Sequence, residues 1–328
     1  MAAPHDILNL AGGWNAPQLL GLYRAMLTAQ TVDRIEQELC AAGEAFFQIS
    51  GLGHEGAAAL NLVLKPQDWI HPHYRDKALM IARGITPQNW FDSVLSNAGN
   101  YSHGRQMACF MADADLHIAS APIPVGANAL QAVGIAAQVK PQKNNPIVVC
   151  GLGDGGTQQG EVMEAFAHAV REQLPVLFWI QDNGLAISTS TSGKTFYTLP
   201  GCENDRLFGM EVHHFDGRDI LPDLGRISEL ADEVRTTRGP RLGVMRVERL
   251  ASHSNADDQR VYRATETIEK LKAQSDPVVN MRRSLLEVGI DEAVLAQLDQ
   301  QVEEECQAAK ERARRIGDPV ACHTAKAE

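Results

Sequence analysis

Residues 146–184 constrain the chain more than any other segment, because strand, glycine loop, helix and strand signals follow one another there without a break. Pro146-Ile-Val-Val-Cys150 is short, apolar and β-branched, as a buried strand requires. Gly151-Leu-Gly-Asp-Gly-Gly156 comes next, then a helical pattern from Glu161 to Arg171. Val176-Leu-Phe-Trp-Ile-Gln181 is a second apolar strand, and it runs into Asp182-Asn183-Gly184. Two strands joined through a helix pair in parallel. Their carboxyl ends then lie side by side, so the two loops that leave them face one another.

The flanking sequence extends the same pattern. Strands are expected over 212–217 and 241–247, with a helix from Leu224 to Thr237 between them. The fold class is therefore α/β, a mostly parallel sheet with helices on both faces. From Pro17 to Gly43, the residues Leu19, Leu22, Tyr23, Met26, Leu27, Ile35 and Leu39 recur at helical spacing, and Gly43 supplies a stop. Asp291 can cap a last helix whose Val294, Leu295, Leu298, Val302 and Ala309 form one apolar stripe, ending at Gly317 before Pro319. Its Glu303-Glu304-Glu305 run reads as a solvated face. No repeat, low-complexity tract or linker appears, so residues 1–328 are expected to form one domain with long loops. Gly51-Leu-Gly-His-Glu-Gly56 and His71-Pro-His-Tyr-Arg-Asp76 are two such loops.

Composition narrows the function classes. The chain has 328 residues, of which 44% are hydrophobic, enough for a large core. A net charge of -11 argues against a nucleic-acid groove or an anionic membrane as the main partner. Apolar runs such as Val176–Ile180 fall far short of the roughly 20 residues that a membrane helix needs. Met-Ala-Ala-Pro-His-Asp at the start lacks the basic cluster and apolar stretch of a secretory signal, so a cytoplasmic protein is expected. The six cysteines form no CxxC pair and no zinc-site spacing.

The glycine loop allows a ligand to approach the backbone closely, and the helix that starts near Gln159 offers unpaired N–H groups and a positive dipole end. A phosphate or diphosphate suits such a place. Asp154 would repel it unless a cation lay between them, and magnesium, which bridges carboxylates to phosphate oxygens, resolves the conflict. The amide oxygen of Asn183 and the backbone carbonyl of Leu185 would complete the protein ligands, giving Asp154, Asn183 and Leu185 as the metal set. Two other readings stand beside this one. Gly151, Gly153 and Gly156 also satisfy GxGxxG, with Asp182 where a ribose-binding acid would lie. Alternatively, the glycines serve only tight packing and Asn183 caps a helix.

Gly153-Asp154-Gly155, a spacer of 27 residues and Asn183 resemble the thiamine diphosphate motif. From roughly Leu19 to Pro319 the chain is similar to alpha subunits of the decarboxylating component of 2-oxo acid dehydrogenase complexes, the branched-chain 2-oxo acid and pyruvate dehydrogenase family. The resemblance implies a thiamine diphosphate-binding fold in which Gly153, Asp154, Gly155, Gly156 and Asn183 hold the cofactor through Mg2+. Tyr74-Arg75 look like the pair that contacts its diphosphate. Pro122-Ile-Pro-Val-Gly126, followed by Gln131-Ala-Val-Gly134, resembles the segment lining the aminopyrimidine. There Ala121 and Ile123 would touch the cofactor, and Ile123 or Val125 would support its bent shape. Arg249-Leu-Ala-Ser-His253-Ser254, Asp257-Asp258 and Tyr262-Arg263 look like the mobile loop whose catalytic histidine, His253, faces cofactor and substrate. Ser254 occupies a position that is phosphorylated in some relatives.

The implied activity is oxidative decarboxylation of a 2-oxo acid with transfer of the acyl group to a lipoyl group on an acyltransferase core. Gly104-Arg105-Gln106-Met107 is similar to a stretch of branched-chain members, so a branched-chain 2-oxo acid is favoured, with pyruvate or acetoin as alternatives. The glutamate that activates the aminopyrimidine comes from a beta subunit or a fused beta domain in this family, and a two-alpha, two-beta assembly is expected. Phe46-Phe-Gln-Ile-Ser-Gly51 resembles fused versions. The chain departs from the pattern at Phe110, where many relatives have His, at Ala127 and Asn128, which alter a potassium site found in some, and at Asp182, which replaces a common Asn. An NAD-binding dehydrogenase and a non-catalytic scaffold subunit remain as readings of other classes.

Overall fold

The structure is a computed structural model that describes residues 13–200 and 205–319. The N-terminal hexapeptide, Cys202 and Cys322 lie outside the described residues. The chain runs through α1 (Ala16–Ala41), a 3-10 turn continued by α2 (Leu60–Val63), β1 (Trp69–His71), α3 (Lys77–Arg83), α4 (Pro87–Val94) and α5 (Ala127–Val139). Then come β2 (Val148–Gly153), α6 (Gly160–Arg171), β3 (Val176–Asp182), the small hairpin β4 (Leu185–Ala186) and β5 (Thr189–Ser190), β6 (Arg206–Leu207) and β7 (Met210–Asp216). It ends with α7 (Leu224–Thr237), β8 (Arg241–Arg246), α8 (Thr265–Gln274), α9 (Pro277–Glu287) and α10 (Glu292–Arg315).

The main sheet has the order β1-β2-β3-β8-β7-β6. All its pairings are parallel except that of β6 with β7. The expected α/β class is what forms, with β1 as an added strand that ends at His71, where the expected 71–76 loop begins. Central β3 shows why both faces must be covered. Leu177 and Trp179 enter one core with residues of α1, α7 and α9, while Val176, Phe178 and Ile180 enter the other with Val133 of α5 and Val162 and Phe166 of α6. A third core gathers α1, α4 and α10 with the 108–121 loop. No helix among the described residues is long and apolar enough to cross a membrane.

Asn15 caps α1 in a reciprocal box with Gln18, and Pro17 occupies the first turn. The helix buries Leu19, Leu22, Tyr23, Met26, Ile35 and Leu39 as its spacing predicts, with Leu27 half-buried and Val32 added, but it also buries Asp33 and Glu36. Lys77, at the start of α3, pairs with both, reaching Asp33 at 2.9 Å. Trp90 Nε1 donates to Glu36, and Asp33 accepts the Gln48 side chain and the Gly51 N–H. Burial pushes Glu36 up to about 7, against the pull of Lys77. In sequence the two acids pass for the wet side of an amphipathic helix, and nothing local announces the lysine that comes to meet them.

The last helix corrects one expectation. Asp291 does cap it, accepting from the Ala293 N–H at 2.7 Å. However, Val294 is 43% exposed, and the buried stripe is Leu295, Val302, Cys306, Ala309 and Ala313 with Leu298 partly buried. Val294 falls one residue, about 100° of helix, off that line. Glu304 and Glu305 are exposed and Glu303 half-buried, the wet face expected, and on it Glu303 and Glu305 pair with Arg34 and Arg24 of α1. Those pairs are half exposed and contribute little, unlike the buried Lys77 group. Lys77→Met should leave two buried carboxylates without a cation and lower stability by about 3–5 kcal/mol. A urea midpoint equal to that of the unsubstituted protein would show that the buried group does not hold α3 to α1.

Candidate active site

A cavity of about 340 Å³ opens where β2 and β3 end. Gly153, Asp154, Gly155 and Gly156 line it from the first strand, and Asn183, Leu185, Ala186 and Ile187 from the second. Tyr74, Arg75, Ile123, Val125 and His253 close it from the other side, with Phe47, Ile49, His73, Met107, Phe110 and Gln159 between them. The structure thus gathers at one cavity Tyr74, Arg75, Ile123, Gly153, Asp154, Gly155, Gly156, Asn183, Leu185 and His253, but not the expected Gln131–Gly134 stretch and not Ala121. That methyl group is buried in the third core, which Phe110 shares, and the exposed Ile123 reaches the cavity instead.

The parallel register sets this geometry, for Gly153 lies opposite Gln181 and both loops leave the sheet at one edge. Gly151 has no room for a side chain, because a Cβ there would sit 2.1 Å from Asp76 Oδ2 and 2.7 Å from the His73 nitrogen. Gly184 adopts a φ of 74°, so the turn after β3 needs glycine. In that turn Asp182 accepts from the Gly184 N–H at 2.9 Å and Asn183 from the Leu185 N–H at 3.0 Å. Asp182 lines an adjoining cleft with His214 and Glu248.

Asp154 is 2% exposed and accepts a hydrogen bond from the Thr191 hydroxyl. Burial pushes its carboxyl up to about 6, and no basic side chain is among the groups that shift it. A buried carboxylate without a cation, beside an amide side chain, has the chemistry of a hard-cation ligand. Among the described residues no three His, Cys, Asp or Glu side chains gather to hold a metal by themselves. An ion bound here would need oxygens from an anionic ligand, which is how magnesium is commonly held at phosphate sites.

On the facing wall Arg75 is buried, donating to the Ser50 carbonyl, to His253 Nδ1 at 2.7 Å and to the His253 carbonyl at 3.2 Å. A guanidinium only donates, so Nδ1 accepts and the neutral ring carries its hydrogen on Nε2. Burial, and then the charge of Arg75, pushes His253 down to about 4. The loop that carries it is latched at several points. The His253 N–H donates to Asp257 at 2.7 Å, and the Tyr262 hydroxyl donates to the same carboxylate. Arg249 binds the Tyr262 oxygen at 2.6 Å and the Ile187 carbonyl at 2.7 Å. Ile187 lies at φ 56°, a strained conformation for a β-branched residue, where Arg249 holds it.

Sequence reasoning missed His73. It is half-buried, its ring centre lies 3.8 Å from that of Tyr74, and its Nδ1 has no partner. Its signal was β1, whose parallel pairing with β2 brings residues 72–76 to the same sheet edge. Phe47 and Ile49 were read as a marker of fused designs and turn out to be cavity wall.

Residues 23–322 match the family described as the dehydrogenase E1 component. The chain belongs to that family. It is 31% identical over 277 residues to the mitochondrial 2-oxoisovalerate dehydrogenase subunit alpha of Caenorhabditis elegans, a match covering 82% of this chain and 63% of that protein. The subunit alpha of the same name from Bacillus subtilis is 30% identical over 88% of each chain. The pyruvate dehydrogenase E1 component subunit alpha of Zymomonas mobilis is 29% identical over 96% of this chain and 90% of its own. The chain thus spans less than two thirds of the nematode relative's length.

The depressed His253 predicts how this E1 family member responds to acid. Tyr74, Arg75, Arg249 and Asp257 face the ring, and the docked loop favours its neutral form. Docking is therefore strongest above the ordinary histidine pKa of 6.5 and is lost as pH falls through about 4. Hydrogen-exchange protection factors of amides 251–258 should fall across that window, while His253→Gln should show no such step. Equal pH dependence in both proteins would contradict the assignment.

Proposed function

We propose that this chain is the alpha subunit of a thiamine-diphosphate-dependent 2-oxo acid dehydrogenase, acting on a branched-chain 2-oxo acid. The observation that carries the reading is the meeting of Asp154, Asn183, Arg75 and His253 at one cavity from four separate segments. Asp154, the Asn183 amide oxygen and the Leu185 carbonyl would hold Mg2+, and Arg75 and Tyr74, with His73 beside them, would take the diphosphate. Gly153, Gly155 and Gly156 leave the space for it. Ile123 and Val125 would support the bent cofactor. When bound, thiamine diphosphate supplies the electron sink that lets carbon dioxide leave.

The protein's own share is placement and proton handling. With Nδ1 engaged by Arg75, His253 has its Nε2–H left to donate to substrate oxygens or to pass a proton. Phe47, Ile49, Met107 and Phe110 give the substrate side an apolar wall that suits a branched side chain, and the 2-oxoisovalerate relatives favour the same class. Ile123 is 64% exposed, Ile187 55% and Val125 47%, so the mouth of the cavity has an apolar rim. We assign that rim to a beta subunit or fused beta domain, which would cover it and contribute the activating glutamate. The acyl group would pass to a lipoyl-bearing acyltransferase core.

The test is calorimetric titration of the alpha-beta assembly with thiamine diphosphate, with and without Mg2+. Tight binding that needs the metal is expected, and Asp154→Ala should weaken it by about 100-fold or more, since losses beyond the first ligand shell alone reach that size. Binding of NADH in place of thiamine diphosphate would sink the reading. A decarboxylation assay across branched-chain 2-oxo acids and pyruvate, with carbon–carbon cleavage of acetoin measured beside it, then identifies the substrate.

A further inference from the structure

Beneath Asn183 a row of polar side chains runs back under the sheet edge. Asn183 Nδ2 lies 3.3 Å from His54 Nε2, and His54 Nδ1 lies 2.8 Å from Gln181 Oε1. Gln181 Nε2 donates to Asp76 Oδ1, and Asp76 Oδ2 accepts the His73 N–H at 2.6 Å. His54 and Asp76 are 1% exposed and Gln181 not at all, so water does not complete these bonds. Each group must find its partner within the row.

The row has a direction. The backbone N–H of His73 can only donate, which makes Asp76 an acceptor at that end. Asp76 takes the amide nitrogen of Gln181 with its other oxygen, and this turns the Gln181 carbonyl toward His54. Nδ1 of His54 must then carry the hydrogen and Nε2 the lone pair. A lone pair at Nε2 accepts from the Asn183 NH2 group, which leaves Oδ1 on the other side of that amide. The Leu185 N–H, at 3.0 Å from Oδ1, agrees with the same orientation. Reversed, the amide would present its hydrogens to a cation.

We propose that His54 is a positioning residue that fixes which side of the Asn183 amide meets the metal. This rests on the magnesium reading of the site given above. His54 is buried behind Asn183 and does not line the cavity. It acts through Asn183, as outer hydrogen-bond partners orient metal ligands elsewhere. Glutamine can replace it in principle, because one side-chain amide offers the same donor and acceptor pair, whereas leucine offers neither.

The test uses the alpha-beta assembly saturated with thiamine diphosphate and follows Mn2+ uptake by electron paramagnetic resonance, so that activity is not the readout. His54→Leu should weaken Mn2+ binding by about 10–100-fold, with His54→Gln retaining most of the affinity. In an Asn183→Ala background, where no amide is left to orient, His54→Leu should change it by no more than about 2-fold. Should the leucine variant fail to assemble, His54→Asn takes its place, being polar but too short to reach both neighbours, and the same loss is expected. Unchanged uptake in the leucine or asparagine variant, an equal loss in His54→Gln, or a full loss persisting without Asn183 would each overturn the role of His54. No Mn2+ uptake by the unsubstituted assembly would instead overturn the magnesium reading itself.

Discussion

Parallel pairing of β2 with β3 is the constraint on which the site depends. With Gly153 opposite Gln181, the chain leaves both strands at the same height, and the side chains just beyond them enter a shared cavity. A slip by one residue would turn every side chain of one strand to the other face of the sheet. Burial guards against that shift. Residues of β2 and β3 enter the cores on both faces, so a slip would exchange every partner in two cores at once. The stiffness that places these two side chains is thus a property of the whole sheet.

The opposite wall is held by different means, since it belongs to loops. Arg75 is steadied by the Ser50 carbonyl, and the neighbouring Gly51 N–H is bound by Asp33. Asp33 in turn belongs to the buried group around Lys77, two residues along the chain from Arg75. A charged group in the interior is expensive, and hydrophobic residues of similar volume often stabilise as well. Its value here is directional. Hydrogen bonds and ion pairs fix orientation in a way that apolar packing does not, and they tie α1, the 48–51 segment and the Arg75 loop into one frame behind the cavity.

What could be read in advance follows from range. The strands at 146–151, 175–181, 212–217 and 241–247 and the helices at 17–43 and 224–237 carry local periodicity, and they formed within a few residues of expectation. Asp154 and Asn183 were legible because each closes a strand in a unit whose handedness is nearly invariant. Short β1 carried too little pattern to be seen, which hid the reason why Tyr74 and Arg75 reach the site. The burial of Asp33 and Glu36 was equally hidden, because it depends on Lys77 and Trp90 far along the chain. His54 shows the same limit, as its meaning depends on Gln181 and Asn183 across the fold.

Charge is distributed across the cavity in a way that selects its occupant. Asp154 stands on one wall and Arg75 on the other, while His253 beside Arg75 is kept neutral by burial and by that same charge. A bare dianion would be drawn to Arg75 and repelled by Asp154. A bare divalent cation would meet the reverse. A cation already bound to a diphosphate satisfies both walls, and the neutral imidazole adds no further positive charge to hold the anion too tightly at the reacting end. Beyond these groups the lining turns apolar through Met107, Phe110, Ile123 and Ile187. An anchored head with an apolar continuation is therefore the shape of ligand that the cavity fits, and the exposed apolar rim leaves that continuation open to solvent.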